Sequence, residues 1–191
     1  MAVDTYLETD RLRLRRFTDD DVDALVELDS DPEVTRYLTR ALPIRDEVAN
    51  RTIPRIIAYY DEHPGFGTWA AIEKATGAFI GWFHLRPAHE NGRDDEPELG
   101  YRFRLSAWGK GYATEGGRAL VDKAFTELGA RRVFALTMSV NAGSRRVMEK
   151  VGMRYLRTFH GDWPEGLPGA EHGDVEYEIT RAEWESRRNG G

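Results

Sequence analysis

Three stretches that read as strands follow one another between Thr68 and Leu105 with no helix-length segment between them. They are Thr68–Lys74, Ala78–Arg86 and the alternating run ELGYRFRL from Glu98 to Leu105, in which Leu99, Tyr101, Phe103 and Leu105 share one face. A short turn at Ala75-Thr76-Gly77 joins the first two, and a polar, acidic loop over Pro87–Pro97 leads into the third. A doubly wound parallel sheet needs a helical crossover after each strand, so the first half of this chain is antiparallel. The rest agrees with a mixed α/β (α+β) chain of seven strands. Arg11–Phe17 is a strand with Leu12, Leu14 and Arg16 on one face, and Thr18 then caps an acidic helix through its first turn of aspartates. A second helical region runs from Ile44 to Glu62, kinked near Pro54 and ended by His63-Pro64-Gly65. A helix to Leu128 carries the stripe Leu120, Val121, Ala124, Phe125 and Leu128. Val133–Met138 is a continuous apolar run, as expected of a strand buried on both faces. A helix over Ala142–Val151 closes at Gly152, and strands at Met153–His160 and Asp174–Thr180 flank a Gly/Pro-rich loop.

A length of 191 residues with 40% hydrophobic side chains suits one domain over residues 1–191. The absence of cysteine removes disulfides, thiolate metal sites and thiol nucleophiles. His63, His84, His89, His160 and His172 show no metal-ligand spacing, so no metal is expected. No apolar run nears the roughly 18 residues of a membrane span, and the N-terminus lacks a secretory signature, which leaves a cytoplasmic protein as the expectation. The net charge of −6 argues against a nucleic-acid binder, yet residues 101–157 hold 12 Lys and Arg against 4 Asp and Glu. A basic segment in an acidic chain points to an anionic, phosphorylated small molecule or to solvated helix faces.

The informative stretch is RLSAWGKGYATE, from Arg104 to Glu115, between a strand and a helix. Gly109 and Gly111 let the backbone approach a ligand, and the following helix N-terminus offers free amides and a positive dipole end, a cradle for a diphosphate. A Walker loop is excluded because Gly111 rather than Ser or Thr follows Lys110. The dinucleotide fingerprint wants a third glycine where Thr114 stands. The remaining kind is an acyl-CoA loop. Here the sequence resembles the GCN5-related N-acetyltransferase (GNAT) superfamily, and within it the ribosomal-protein-alanine N-acetyltransferase-like (RimJ/RimL-type) group. Trp108-Gly109-Lys110-Gly111-Tyr112-Ala113 matches the Arg/Gln-x-x-Gly-x-Gly/Ala loop, with Trp108 in the first position as in that group. LETDRLRLRRF, IGWFHL, ELGYRF and NAGSRRVMEKVGM resemble its other segments in order, from Leu7 to Ile179.

The resemblance implies a mostly antiparallel sheet of about seven strands, splayed at a central parallel pair and flanked by helices. The domain core would span about residues 7–180, with a short tail at 181–191. It also implies acetyl-CoA as donor, lying between ELGYRFRL and VFALTMS. The pantetheine arm would pair with the strand end at Phe103, Arg104 and Leu105. The diphosphate would sit on Trp108, Gly109, Lys110, Gly111, Tyr112, Ala113 and Thr114, with Arg146 as a further contact beside Arg145 and Lys150. Amine acetylation needs a proton acceptor for the amine and benefits from a donor for the thiolate. Glu98 is the base candidate, its pKa expected to be raised by burial; otherwise it merely ends an acidic surface loop. The tyrosine that many members use as acid is Met148 here, and the group's serine corresponds to Ser144, an acid candidate or a helix-capping residue. Asn141 anchors pantetheine, caps its helix, or does both. Among Tyr37, Tyr59, Tyr60, Phe66, Trp69, Trp82 and Trp163, some would line the acceptor pocket and most would be core. The expected function is acetyl-CoA-dependent acetylation of a primary amine, on a protein N-terminus or a small molecule, by a homodimer. The alternative is a non-catalytic acyl-CoA-binding sensor.

Overall fold

The computed structural model describes residues 4–39, 41–88, 93–163 and 166–189; His89 lies outside them. The described residues form one sheet of eight strands: β1 (Thr5–Glu8), β2 (Leu12–Arg16), β3 (Gly67–Glu73), β4 (Phe79–Ala88), β5 (Arg93–Phe103), β6 (Arg132–Met138), β7 (Arg154–Phe159) and β8 (Asp174–Thr180). Their order is β1-β2-β3-β4-β5-β6-β8-β7. All neighbours are antiparallel except β5 and β6, which run parallel and share a single register position, Glu98 with Phe134. Past it the strands diverge, so the β6-facing edge of Gly100–Phe103 has no strand partner while its other edge is paired to β4.

Among the described residues seven α-helices complete the fold: α1 (Val22–Ser30), α2 (Pro32–Thr35), α3 (Arg45–Glu47), α4 (Ile53–Glu62), α5 (Tyr112–Thr126), α6 (Ala142–Val151) and α7 (Arg181–Asn189). Phe17, Leu25, Leu28, Val48 and Ile53 bury one face of the sheet against Ala70 and Ile72. The other face packs Leu12, Leu14, Phe83, Leu99 and Phe103 against Leu120, Val121, Ala124 and Phe125 of the α5 stripe. The strand alternation decides which side chain enters which layer: Glu98, Gly100, Arg102 and Arg104 point away from Leu99, Tyr101 and Phe103.

Five expectations change. The sheet has eight strands rather than seven, because β1 is a short, half-exposed edge strand with no apolar alternation to announce it. The expected loop over Pro87–Pro97 is shorter at both ends, since β4 and β5 carry their pairing through Pro87 with Pro97 and Ala88 with Arg93; residues 89–92 lie outside the described residues. The supposed tail is helix α7, started by a reciprocal cap in which Thr180 N donates to Glu183 Oε2 (2.9 Å) and Glu183 N to Thr180 Oγ1 (3.3 Å). Trp184 fixes it against Phe125, ring centroids 5.3 Å apart. The kink near Pro54 is a π turn over Val48–Thr52, in which Ile53 N bonds Val48 O. Pro54 has no N–H for the Asn50 carbonyl and its ring would collide with it, so a wider turn relieves both. Finally, β6 is not buried on both faces. Val133, Ala135 and Met138 are buried, whereas Leu136 is 40% exposed on the face that α1–α4 leave uncovered.

Candidate active site

That uncovered face is the floor of a cleft of about 1050 Å³. Its walls are Glu47, Arg51, Thr52, Arg55, Ile56 and Tyr59 from the α3–α4 region, and its floor includes Trp82, His84, Arg86, Glu98, Arg102, Phe134 and Leu136. Trp82 and Tyr59 therefore belong to the site, while Trp69 and Tyr60 are core, and Trp163 donates to Asp174 (2.7 Å).

Glu98 stands where β5 and β6 last pair, its side chain in the cleft. Opposite it in the β4–β5 register are Arg86 and, two pairs on, His84 facing Gly100. Glycine at 100 is a steric requirement: a Cβ there would come within 2.3 Å of the His84 ring. His84 is buried, stacked on Trp82, with Nε2 3.8 Å from Glu98 Oε1. Arg86 Nη2 lies 3.2 Å from His84 Nδ1. An arginine only donates, so Nδ1 accepts and the neutral ring carries its proton on Nε2, aimed at Glu98. Burial holds the His84 pKa below its ordinary value, against the pull of Glu98. Burial pushes Glu98 up, but His84 and then Arg86 outweigh it, so Glu98 is held below the usual carboxylate range. The expected burial-raised pKa is thus corrected: Glu98 is ionised at neutral pH.

Ser144 lies on the other side of β5. Its Oγ is 3.0 Å from the Tyr101 hydroxyl, which also donates to Ser144 O at 3.0 Å. Burial raises the Tyr101 pKa, keeping that hydroxyl protonated. Asn141 does cap α6, its Oδ1 accepting from Ser144 N (3.1 Å), and its Nδ2 donates to Thr137 (3.1 Å). Glu98 and Ser144 therefore face opposite layers, on either side of the opening between β5 and β6. Met148 is buried.

The loop after β5 begins with Arg104 N bonded to Ile80 O (2.9 Å). The Arg104 side chain is taken by Glu27 of α1 (2.7 Å), and its carbonyl accepts from Ala107 N (2.9 Å). Leu105 and Trp108 are exposed, and the Trp108 indole donates to Phe103 O (2.8 Å). Gly109 (φ +73°) and Gly111 (φ +84°) take left-handed conformations, so the amides of residues 109–114 lead into α5 ahead of its first bond, Glu115 N to Gly111 O (3.0 Å). Arg11 fastens this loop to the β1–β2 corner through Lys110 O (2.9 Å) and Glu115 (2.6 Å). Tyr112 points inward and donates to Glu73, so only its amide faces outward. Ala113 and Thr114 follow on the first turn of α5.

The basic segment resolves into two parts. Arg102, Arg104, Lys123, Arg131, Arg132, Arg154 and Arg157 all pair with carboxylates, several of them on buried Glu96, Glu176 and Glu178. Lys110, Arg118, Arg145, Arg146 and Lys150 have no carboxylate partner among the described residues, and they sit on the loop, α5 and α6. Thus part of the local excess serves the sheet and the remainder flanks the loop. Among the described residues no group of His, Asp and Glu side chains could hold a metal ion.

An acetyltransferase (GNAT) domain model matches residues 11–154. The chain belongs to the GNAT acetyltransferase family. Its match with that family runs from β2 to the start of β7, through both diverging strands, the glycine loop and α6. The chain is 37% identical over 183 residues to FsC-acetyl coenzyme A-N(2)-transacetylase of Aspergillus fumigatus, covering 93% of this chain and 77% of that protein. It is 32% identical to the N-acetyltransferase YoaA of Bacillus subtilis, over 78% and 82% of the two chains. A crystal structure of aminoglycoside acetyltransferase AAC(6')-Ib with coenzyme A and kanamycin shares the fold, with a TM-score of 0.72, 21% identity, and 93% and 99% coverage. As a GNAT enzyme the chain is an N-acetyltransferase, acting on an amine.

His84, Arg86 and Tyr101 are the site residues that sequence reasoning passed over. Trp82, His84 and Arg86 lie two apart in IGWFHLR, so a strand face was legible. Which residues of β5 they meet depends on hairpin register, and the Pro87–Pro97 stretch concealed it.

Proposed function

We propose that the protein acetylates a primary amine, on a protein N-terminus or a small molecule, by direct attack of the amine on the thioester of acetyl-CoA. Acetyl-CoA supplies the activated acyl group. The observation that carries this reading is Glu98, an ionised carboxylate in the cleft at the last pairing of β5 with β6, with the Nε2–H of neutral His84 behind it. Glu98 accepts the proton that the amine gives up, directly or through one water, and His84 keeps the carboxylate oriented. Ser144, backed by Tyr101, donates to the departing sulfur. The residues present fit the donor: the β6-facing edge of Gly100–Phe103, leading to Arg104 and Leu105, offers backbone groups to the pantetheine arm, and the amides of Gly109–Thr114 suit a diphosphate. Asn141, Trp108, Lys110 and Arg146 complete the donor side. The relative named for transfer to an N(2) nitrogen supports an amine acceptor. In the same reading the enzyme is a cytoplasmic homodimer of the RimJ/RimL-like kind, and exposed Tyr155 and Leu156 on edge strand β7 favour the pairing of two copies.

The test is thiol release from acetyl-CoA in the presence of a mixed panel of primary amines, with acetylated product identified by mass. Amine-dependent release by the wild-type protein supports the reading. Acetyl-CoA binding without release would favour the sensor instead.

A further inference from the structure

The walls of the cleft carry cations that no described residue neutralises. The carboxylates lining it are Asp29, Glu47, Glu96, Glu98 and Glu176. Asp29 is held by Arg102 at 2.5 Å, Glu96 and Glu176 by Arg132, and Glu98 faces His84. Arg51 and Arg55 also line the cleft, and among the described residues neither makes an ion pair or a hydrogen bond. Glu47 is the sole lining carboxylate that is likewise without a described partner, so the unpaired charge of the wall is positive.

The local backbone explains why these two cations face the same space. The π turn over Val48–Thr52 precedes Ile53, so Arg51 sits in the widened turn and Arg55 in the first full turn of α4. A regular helix would also place residues four apart on one side. The buried neighbours Val48 and Ile53 fix this element on the sheet, and Thr52 and Ile56 line the cleft beside the arginines. Two guanidiniums on one wall, with donors in fixed forks, match a carboxylate. On the floor, Phe134 and the 40% exposed Leu136 of β6 offer apolar surface beside Glu98.

We propose that the acceptor is an amine that also bears a carboxylate, its amine at Glu98 and its carboxylate at Arg51 and Arg55. This deepens the acetyl-transfer reading and rests on it. It separates the protein from acetyltransferases of polycationic amines, for which two unpaired arginines in the cleft would be repulsive.

The experiment compares acceptors whose amines ionise alike and differ in one remote charge: a dipeptide with a free C-terminus, the same dipeptide as its C-terminal amide, and kanamycin as a polycation. The expected kcat/KM order is free acid over amide by about 10- to 100-fold, with kanamycin lowest. Arg51→Ala and Arg55→Ala should remove that preference by raising KM for the acid, leaving the amide and the KM for acetyl-CoA unchanged. Arg51→Lys should restore part of it. Equal rates for acid and amide, faster turnover of kanamycin, or arginine variants that slow both dipeptides alike would overturn the proposal while acetyl transfer stood. A folded protein that binds acetyl-CoA yet releases no thiol with any acceptor would overturn both.

Discussion

At the scale of single residues, the proposed chemistry turns on the charge state of Glu98. Its carboxyl is held low by His84 and Arg86 against burial, so it is ionised throughout the neutral range. Glu98→Gln is expected to lower turnover at pH 7 by about 10²–10⁴-fold, the usual worth of a positioned proton-transfer group, with acetyl-CoA affinity unchanged in calorimetry. The deficit should shrink toward pH 9 as more amine arrives unprotonated. Because the pKa of Glu98 is lowered, the wild-type profile should show no inflection from this group between pH 6 and 9, and the rise there belongs to the amine. Wild-type turnover by Glu98→Gln across that range would remove Glu98 from the reaction. Ser144→Ala should cost less, since water can replace a hydroxyl donor. A second residue-scale outcome concerns Asp21, which accepts from both Arg15 nitrogens (2.6 and 2.7 Å) and from Thr18 N (2.8 Å). Burial raises its pKa, but Arg15 and Thr18 more than offset that, so the net shift is downward. Its stabilisation is present above the ordinary aspartate value near 4 and lost as pH falls through the lowered one. Asp21→Ala strands a buried guanidinium and should cost about 3 kcal/mol in urea unfolding at pH 7, and less at pH 3. The acidic run at Thr18 was legible as a helix start; that Asp21 would meet Arg15 was not, because the strand-to-helix corner is a tertiary feature.

At the scale of elements, the loop between β5 and α5 is the most legible part of the site. Gly109 and Gly111 marked the loop in the sequence, and both take left-handed conformations in the structure. Gly111→Val must place a β-branched side chain at φ +84°, with its Cβ 3.4 Å from Arg11, and should abolish acetyl-CoA binding. The loop lies on the surface, so circular dichroism should remain native; a folded Gly111→Val protein with unchanged affinity would reject the loop as the donor site. Helix α6 was readable to its ends because Asn141 and Gly152 mark them and both act as caps. Strand β6 was readable in place but not in environment. An apolar run signals burial on both faces, whereas here one face is a cleft floor, which sequence cannot distinguish from a second core. Helix α7 was missed although its signature, Thr180 followed three residues later by Glu183, was present; its polar composition hid the two contacts of Trp184 that hold it down.

At the scale of the whole molecule, the opening between β5 and β6 connects two layers of different character. On one side lie the glycine loop, Ser144 and the unpaired cations of α5 and α6; on the other lie Glu98, His84 and the arginine-walled cleft. The antiparallel half and the helical order were legible from periodicity. The divergence was implied only by resemblance, since no residue pattern fixes where a parallel pair stops bonding. Assembly has its own outcome: light scattering should give about twice the 21.8 kDa chain mass, and a single-chain mass at every concentration would count against the β7 pairing. The two-sided arrangement makes the strongest demand on kinetics. In the proposed reaction donor and acceptor enter from opposite faces, and the chain has no cysteine to carry an acyl group between them, so both are bound before transfer. Initial rates measured against acetyl-CoA at several fixed amine concentrations should give intersecting double-reciprocal lines. Parallel lines, together with a protein found acetylated after exposure to acetyl-CoA alone, would contradict direct attack of the amine.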